Sequence, residues 1–249
     1  MMKNRKKTSL LTILLCALAG CLILVGGIGA TRAALTTSET FKGTLETPEI
    51  AIQLIENGKP VEEGALKGLK EAVLEIGAPA EEVLTVKNVG TADQYARVTL
   101  YRYWTDSKGK RVDLDPAYIK LTFGEGWAID KKASKWDDEK DAPGGERVVL
   151  YYTKALKAGK TSAEGEESTP LITAVTADSE IKLWVAKKDT TEDGVTTTTY
   201  IYKYDGLTLN LEASADAIQT QHAQEAVEAS WGTTNVTIDE SAGTLSVAN

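Results

Sequence analysis

The chain has 249 residues, with 36 acidic side chains against 28 basic ones and a single histidine. The first acidic residue comes after position 33, so residues 34–249 keep all 36 acids but only 23 bases, a net charge of −13. Phosphate backbones are bound by basic surfaces. We therefore expect no nucleic-acid partner, and the remaining length suits one large domain.

The first 33 residues have the organisation of an export signal. Residues 3–7 are mostly basic, and residues 10–30 form an uncharged, largely apolar run. A basic segment followed by an apolar one is typical of a secretory signal, although this run is also long enough to span a bilayer if it is retained. We expect residues 1–33 to be the signal peptide, with contact to a membrane only through this uncleaved segment.

Two cleavage sites compete within this signal. Cys21 ends a lipobox-like stretch, but the residues that follow it are apolar and would stay in the membrane. Ala33 ends a run with small residues at Thr31 and Ala33, which suits ordinary signal cleavage. We predict a cut between Ala33 and Ala34. Both cysteines, Cys16 and Cys21, would be lost with the signal, so the exported part would contain neither a disulfide nor a thiol nucleophile.

Hydrophobic alternation with a period of two dominates the remainder and predicts β-strands. In residues 95–104, aliphatic positions alternate with aromatic and polar ones. Turn signals containing Gly, Asn or Pro separate the runs. The predicted strands lie at residues 50–54, 81–88, 95–104, 146–152, 180–188, 196–204 and 207–213. A last hairpin is predicted within residues 233–247.

Two segments have helical patterns, a weak one at residues 61–74 and a stronger one at residues 214–230. The stronger segment begins at Ser214, a favourable capping residue, and Gly232 follows its end. Together the elements predict an all-β fold: an antiparallel β-sandwich of jelly-roll type with one or two short helices, occupying residues 34–249 as one domain. Residues 130–146 are expected to be rich in loops.

The candidate catalytic and metal-binding residues are few. His222 is the only histidine, and zinc sites normally need three or four ligands. The acidic residues 137–141 lack the spacing of a calcium loop, and Asn235 begins a glycosylation-like triplet that we treat as chance. No catalytic or metal motif is found. The sequence therefore predicts no enzyme, no catalytic residue, no metal site and no cofactor.

Tyrosines form two ladders along predicted strands, at positions 95, 101 and 103 and at positions 200, 202 and 204. Such ladders usually pack across a sheet. They would also suit stacking against a sugar ring, so a monomeric surface adhesin that binds glycans remains an alternative.

The order of four segments resembles the TasA/camelysin family of exported proteins. These are LVGGIGATRAALTTSETFKGTLE (residues 24–46), LTVKNVGTADQYARVTLYRYW (84–104), LYYTKALKAGKTSAEGEESTPLITAVT (150–176) and ADAIQTQHAQEAVEASWG (215–232). The second contains the family's V-x-N-x-G pattern at residues 86–90. The resemblance covers most of residues 22–232.

This resemblance implies a protein secreted by a Gram-positive bacterium and processed by a SipW-type signal peptidase. It implies self-assembly into fibres of the biofilm matrix or cell surface, with the segment after the cut, residues 34–55, as a candidate donor strand for the next subunit. A secreted camelysin-like peptidase is the alternative from the same family. The alternating apolar residues of 50–54 also allow a simpler interpretation, in which they form the first strand of their own sandwich.

Overall fold

The computed structural model describes residues 48–61, 66, 68–71 and 75–249. These belong to one compact unit that extends from Thr47 to Asn249. The predicted signal, the cut between Ala33 and Ala34, the lipobox-like Cys21 and the first part of the candidate donor segment, residues 34–47, all lie outside the described residues. Of the predicted helix at 61–74, the structure describes one short helix, α1 (Gly68–Glu71).

Two antiparallel sheets and three two-stranded ribbons make up the described fold. The strands are β1 (Ile52–Glu56), β2 (Lys59–Pro60), β3 (Pro79–Asn88), β4 (Gln94–Thr105), β5 (Ile119–Phe123), β6 (Trp127–Ile129), β7 (Trp136–Asp137), β8 (Ala142–Pro143), β9 (Arg147–Tyr152), β10 (Ile172–Ala177), β11 (Val185–Glu192), β12 (Val195–Tyr202), β13 (Thr208–Gln219), β14 (Val236–Asp239) and β15 (Thr244–Val247). The first sheet has the order β2-β1-β3-β10-β5, and the second has the order β13-β4-β9-β6. The ribbons are β7–β8, β11–β12 and β14–β15.

The main core lies between the two sheets. Leu84 and Val86 of β3 pack in the same cluster as Val98 and Leu100 of β4. All four side chains are fully buried, at 0% exposure. The alternating apolar positions of each sheet thus face one another, as in a β-sandwich. The predicted fold class, an all-β antiparallel sandwich with little helix, is confirmed.

A second, smaller core covers the outer face of the four-stranded sheet. Tyr95 of β4 and Tyr151 of β9 pack there against Trp231, and the rings of Tyr151 and Trp231 lie 5.2 Å apart. A short helix, α2 (Ala223–Ala226), and the π-helical turn Val227–Trp231 that follows it form part of the cover. The ribbon β14–β15 completes the cover, so the predicted C-terminal hairpin is confirmed.

The prediction of a helix over residues 214–230 is wrong in its first part. Strand β13 continues to Gln219 and pairs residue by residue with all of β4, so that Ser214 lies opposite Thr99 instead of capping a helix. Small residues such as Ala213, Ala215 and Ala217 fit both periods. The partner strand decides between them, because β4 offers a full row of backbone groups. Helical structure begins only after His222, which has a left-handed backbone with φ of 51°.

One predicted strand is displaced as well. The run at 180–188 begins as a 3₁₀ helix, Ser179–Leu183, which the Asp178 side chain caps by accepting from the N–H of Glu180. The strand follows at Val185. The other predicted strands are found within a few residues of their expected places, and residues 130–146 contain only the short ribbon β7–β8 between turns. A second 3₁₀ helix, Pro116–Tyr118, precedes β5.

Candidate assembly surfaces

The described chain begins with a segment that is fastened to the turn between β3 and β4. The carbonyl of Ala51 accepts hydrogen bonds from the N–H groups of Val89 and Gly90 and from Nε2 of Gln94, the last at 2.7 Å. The carbonyl of Glu49 accepts from the N–H of Thr91. Residues 49–51 therefore have a fixed path into β1.

The residues of the V-x-N-x-G pattern build this turn. The Asn88 side chain is fully buried, donates to the carbonyls of Ala92 and Leu156 and accepts from the N–H of Gly90. A side chain at Gly90 would collide with the backbone of Glu49 and Ala51. The pattern thus has a structural basis. The asparagine side chain closes the turn, and the glycine, which has no side chain, lets residues 49–51 pass close to the turn.

Strand β1 belongs to the chain's own sheet. Ile52–Glu56 pairs with β3 over five positions, with Ile55 opposite Thr85. This agrees with the simpler interpretation of residues 50–54 as a first strand. Within the candidate donor segment 34–55, only residues 34–51 precede this strand, and residues 49–51 are held by the turn.

The other edge of the same sheet is open within the described structure. Strand β5 pairs with β10 along one side, and no described strand follows it in the sheet order. A cleft with a volume of about 470 Å³ lies beside β5, between this strand and the ribbon β7–β8. Leu121 and Phe123 of β5 and Trp136 of β7 supply apolar wall, together with Tyr118 from the preceding 3₁₀ helix.

A buried arginine connects the two walls of this cleft. Arg102 lies on the inner face of β4 at 2% exposure. Its guanidinium donates to the carbonyls of Ile119 at the start of β5, Pro143 of β8 and Gly145, the last at 3.1 Å. Burial lowers the pKa of Arg102 to about 10, and the charge of Asp115 partly offsets this effect. Even so, the side chain remains a cation at neutral pH.

The rim of the cleft is polar and carries both charges. Lys120 on β5 forms an ion pair with Asp178 at 2.5 Å. Burial alone would raise the pKa of Asp178, but the N–H of Glu180 and the Lys120 ammonium outweigh it and hold the pKa below its usual value. The Nε1 group of Trp136 is buried and has no hydrogen-bond partner among the residues that the structure describes. An apolar wall, a free strand edge and a buried donor are features of a surface that accepts a peptide strand.

A second buried ionisable group lies in β3. Glu82 is fully buried and bonded to Nδ2 of Asn57 at 3.3 Å. Burial, with hydrogen bonding to Glu56 and its negative charge, raises the pKa of Glu82 to about 8. The carboxyl is therefore mostly protonated at neutral pH. Its neighbours are structural, so we interpret Glu82 as a determinant of stability.

The predicted candidate sites do not come together. His222 is exposed and precedes α2. In the acidic loop, Asp137 accepts from the N–H groups of Glu139 and Lys140, as in a local turn. Across the part of the chain that the structure describes, no three His, Cys, Asp or Glu side chains are grouped as a metal site would require. None of the described helices is long and apolar enough to cross a membrane.

The two tyrosine ladders differ in their surroundings. Tyr95 is buried in the second core, and Tyr103 donates to Glu212 while Arg111 lies over its ring at 3.8 Å. This first ladder is thus largely engaged in packing across the sheet. In the second ladder, Tyr200 and Tyr202 are exposed by 60% and 47%.

Sequence reasoning missed the buried Arg102 and Glu82. Both carried a signal, since each is in phase with the apolar positions of its strand: Arg102 with Leu100 in β4, and Glu82 with Leu84 in β3. A charged residue on the inner face of a predicted strand must find partners, because burying it alone is costly. The cleft itself left no comparable signal, because its walls come from distant parts of the chain.

Comparisons with known proteins add no relative. No protein-family model matches the chain, and no match is found among curated proteins or solved structures.

Proposed function

We propose that the protein is an exported structural subunit that assembles into fibres of an extracellular matrix or cell surface. The observation that carries this proposal is the edge of β5 that no described strand covers, beside an apolar cleft. The acidic composition of the predicted exported part and the predicted export signal also support it, as does the resemblance to the TasA/camelysin family. That resemblance suggests a Gram-positive source and a SipW-type signal peptidase.

We further propose that the segment before β1 is the donor strand. Residues 34–47 precede a strand that already pairs within its own sheet. Their sequence is ALTTSETFKGTLET. If this segment were extended, Phe41 and Leu45 would lie on one side of the strand. These side chains would enter the cleft of the next copy while the backbone pairs with β5. A contact of this head-to-tail kind does not close on itself, so it produces open filaments.

Substitutions in this segment test the proposal. Phe41→Asp with Leu45→Asp, made in the full-length chain, should abolish filaments seen by negative-stain electron microscopy while the exported protein stays folded. Each buried apolar side chain contributes about 1.5–3 kcal/mol to such a contact, and a charge there adds a desolvation cost.

The matched control is Thr40→Asp with Thr44→Asp, which adds the same charge to the opposite side of the strand. We expect this variant to form filaments. Filaments of unchanged morphology from the Phe41→Asp, Leu45→Asp variant would place the donor strand elsewhere. A chain that begins at Glu56 is less informative, because it lacks β1 and we expect it to lose the fold.

A glycan-binding surface module is a second candidate, favoured by the aromatic side chains of the same cleft. Tyr118, Phe123 and the Nε1 group of Trp136, which no described residue binds, would suit a sugar ring with one hydrogen-bond acceptor. Glycan-array binding that is lost in Trp136→Ala and retained in Tyr101→Ala would favour this function over fibre formation. The peptidase alternative has no observation in its favour among the described residues.

A further inference from the structure

The ribbon β11–β12 is the most exposed part of the described structure. Its strands pair over eight positions, from Val185 opposite Tyr202 to Glu192 opposite Val195. All of β12 and six of the eight residues of β11 are exposed. An uncovered two-stranded ribbon is only marginally stable in water. A ribbon of this length would therefore be stabilised by a further strand.

The two edges of this ribbon differ in how they are protected. Strand β11 carries four charged residues, Lys187, Lys188, Asp189 and Glu192, whereas β12 reads VTTTTYIY and carries none. Charged side chains are a common protection against unwanted pairing at a sheet edge. A run of eight uncharged residues with high β-propensity and no Pro or Gly is the opposite, a template for pairing. The edge of β12 is thus the unprotected one.

The distribution of charge indicates which kind of chain pairs with the edge of β12. Two copies of the exported part each carry a net charge of −13 and therefore repel one another. Strand β12 is uncharged, so that two copies can approach along it without burying a charge. It is also self-complementary, since its β-branched and aromatic residues are favourable cross-strand neighbours of one another.

We propose that β12 of one copy pairs antiparallel with β12 of a second copy, so that two ribbons become one four-stranded sheet. The contact is two-fold symmetric and closes on itself. It is a lateral contact, and it does not rest on the head-to-tail contact proposed above. In a fibre it would join neighbouring filaments, and without a fibre it would give a dimer.

The turn of the ribbon fixes which backbone groups are free for this pairing. Asp193 and Gly194 have φ of 50° and 79°, as in the two-residue turn of type I′. In such a hairpin the residues next to the turn are hydrogen-bonded to each other and the pattern alternates. The outward N–H groups of β12 are thus those of Thr196, Thr198, Tyr200 and Tyr202. A two-fold pairing that uses all four places Thr199 opposite Thr199 of the second copy.

This arrangement makes Thr199 a suitable position for a reporter disulfide. Residues opposite each other without mutual hydrogen bonds have Cα atoms about 4.5 Å apart, within the range that a disulfide spans. The test uses the full-length chain in mild detergent, with Cys16→Ala and Cys21→Ala so that the introduced thiol is the only one. The Thr199→Cys variant is compared with Lys188→Cys, since Lys188 is its partner on β11.

We expect the Thr199→Cys protein to form a covalent dimer under mild oxidation about tenfold faster than the Lys188→Cys protein, because pairing raises the local thiol concentration. Equal rates would overturn the proposal, because random collision would then explain both. In that case the edge of β12 would pair with another part of the chain or with a different partner.

A pair of proline variants keeps the test independent of the thiol position. Thr198→Pro, added to Thr199→Cys, removes an outward N–H from β12 and should reduce cross-linking to the Lys188→Cys level. Asp189→Pro removes the corresponding group from β11, and both changes delete the same hydrogen bond between Thr198 and Asp189. Asp189→Pro should therefore leave cross-linking intact. Loss of cross-linking in both variants, or in neither, would contradict the proposal.

The same reporter separates this contact from the proposed fibre contact. Thr199→Cys cross-linking that persists with Phe41→Asp and Leu45→Asp supports the lateral contact, whatever happens to the filaments. Filaments that form without a cross-link at Thr199 contradict the lateral contact and leave the head-to-tail contact standing.

Discussion

Replacing Arg102 by methionine is expected to lower the free energy of unfolding by about 3–5 kcal/mol. The guanidinium donates hydrogen bonds to three backbone carbonyls, those of Ile119, Pro143 and Gly145. Methionine fills similar space but leaves these acceptors buried and unpaired, at a cost of about 1–3 kcal/mol each, partly offset by the removal of a buried charge. Denaturant unfolding followed by circular dichroism measures the loss.

Arg111→Met is the control for this substitution. Arg111 is exposed and pairs with Glu146 at the surface, and such pairs contribute about 0–1 kcal/mol. A loss below about 1 kcal/mol in Arg102→Met, no greater than in the control, would contradict the role assigned to Arg102. Because Arg102 also joins the two walls of the cleft, we expect its loss to reduce assembly even where the domain remains folded.

Replacing Glu82 by glutamine is expected to stabilise the fold at neutral and alkaline pH. The pKa of Glu82 is about 8 in the folded protein, against 4.5 for an ordinary glutamate side chain. Its stabilising contribution is fully present below about pH 4.5 and is lost as pH rises towards 8, because the unfolded chain releases the proton first. Glutamine resembles the protonated carboxyl and cannot ionise.

The expected gain from Glu82→Gln is on the order of 4 kcal/mol at pH 8 and close to zero at pH 4, as the linkage between protonation and folding requires. Chemical denaturation at a series of pH values measures it. Glu81→Gln, at the exposed neighbouring position of β3, should leave the pH profile unchanged. A wild-type stability that does not fall between pH 4.5 and 8, or a variant with the same profile, would show that Glu82 ionises freely.

The strands of this fold could be predicted because their periodicity follows directly from burial on one side. In β4, Ala96, Val98 and Leu100 face the main core while Tyr95 faces the second one. The helix predicted from Ser214 fails for the same physical reason. Alanines at 213, 215 and 217 suit either period, and a strand of twelve residues next to them decides the matter. A rule that uses only neighbouring residues in the sequence cannot take this partner strand into account.

The candidate surfaces were harder to predict from the sequence, since each one depends on a strand edge that no described strand covers. Once the pairing of β11 with β12 is known, the charged residues of β11 and their absence from β12 show which edge of the ribbon is protected. The cleft beside β5 needs Phe123 and Trp136 to line the same space although twelve residues, mostly turns with one short strand, separate them in the chain. Arg102 has the clearest sequence signal, as a charged residue within an apolar alternation.

A cryo-electron microscopy reconstruction of filaments grown from the exported protein tests the central claim most directly. The proposal predicts a strand from residues 34–47 of one subunit paired with β5 of the next, with Phe41 and Leu45 in the cleft beside Trp136. A reconstruction in which β5 keeps an unpaired edge, or in which a different segment occupies the cleft, would contradict it.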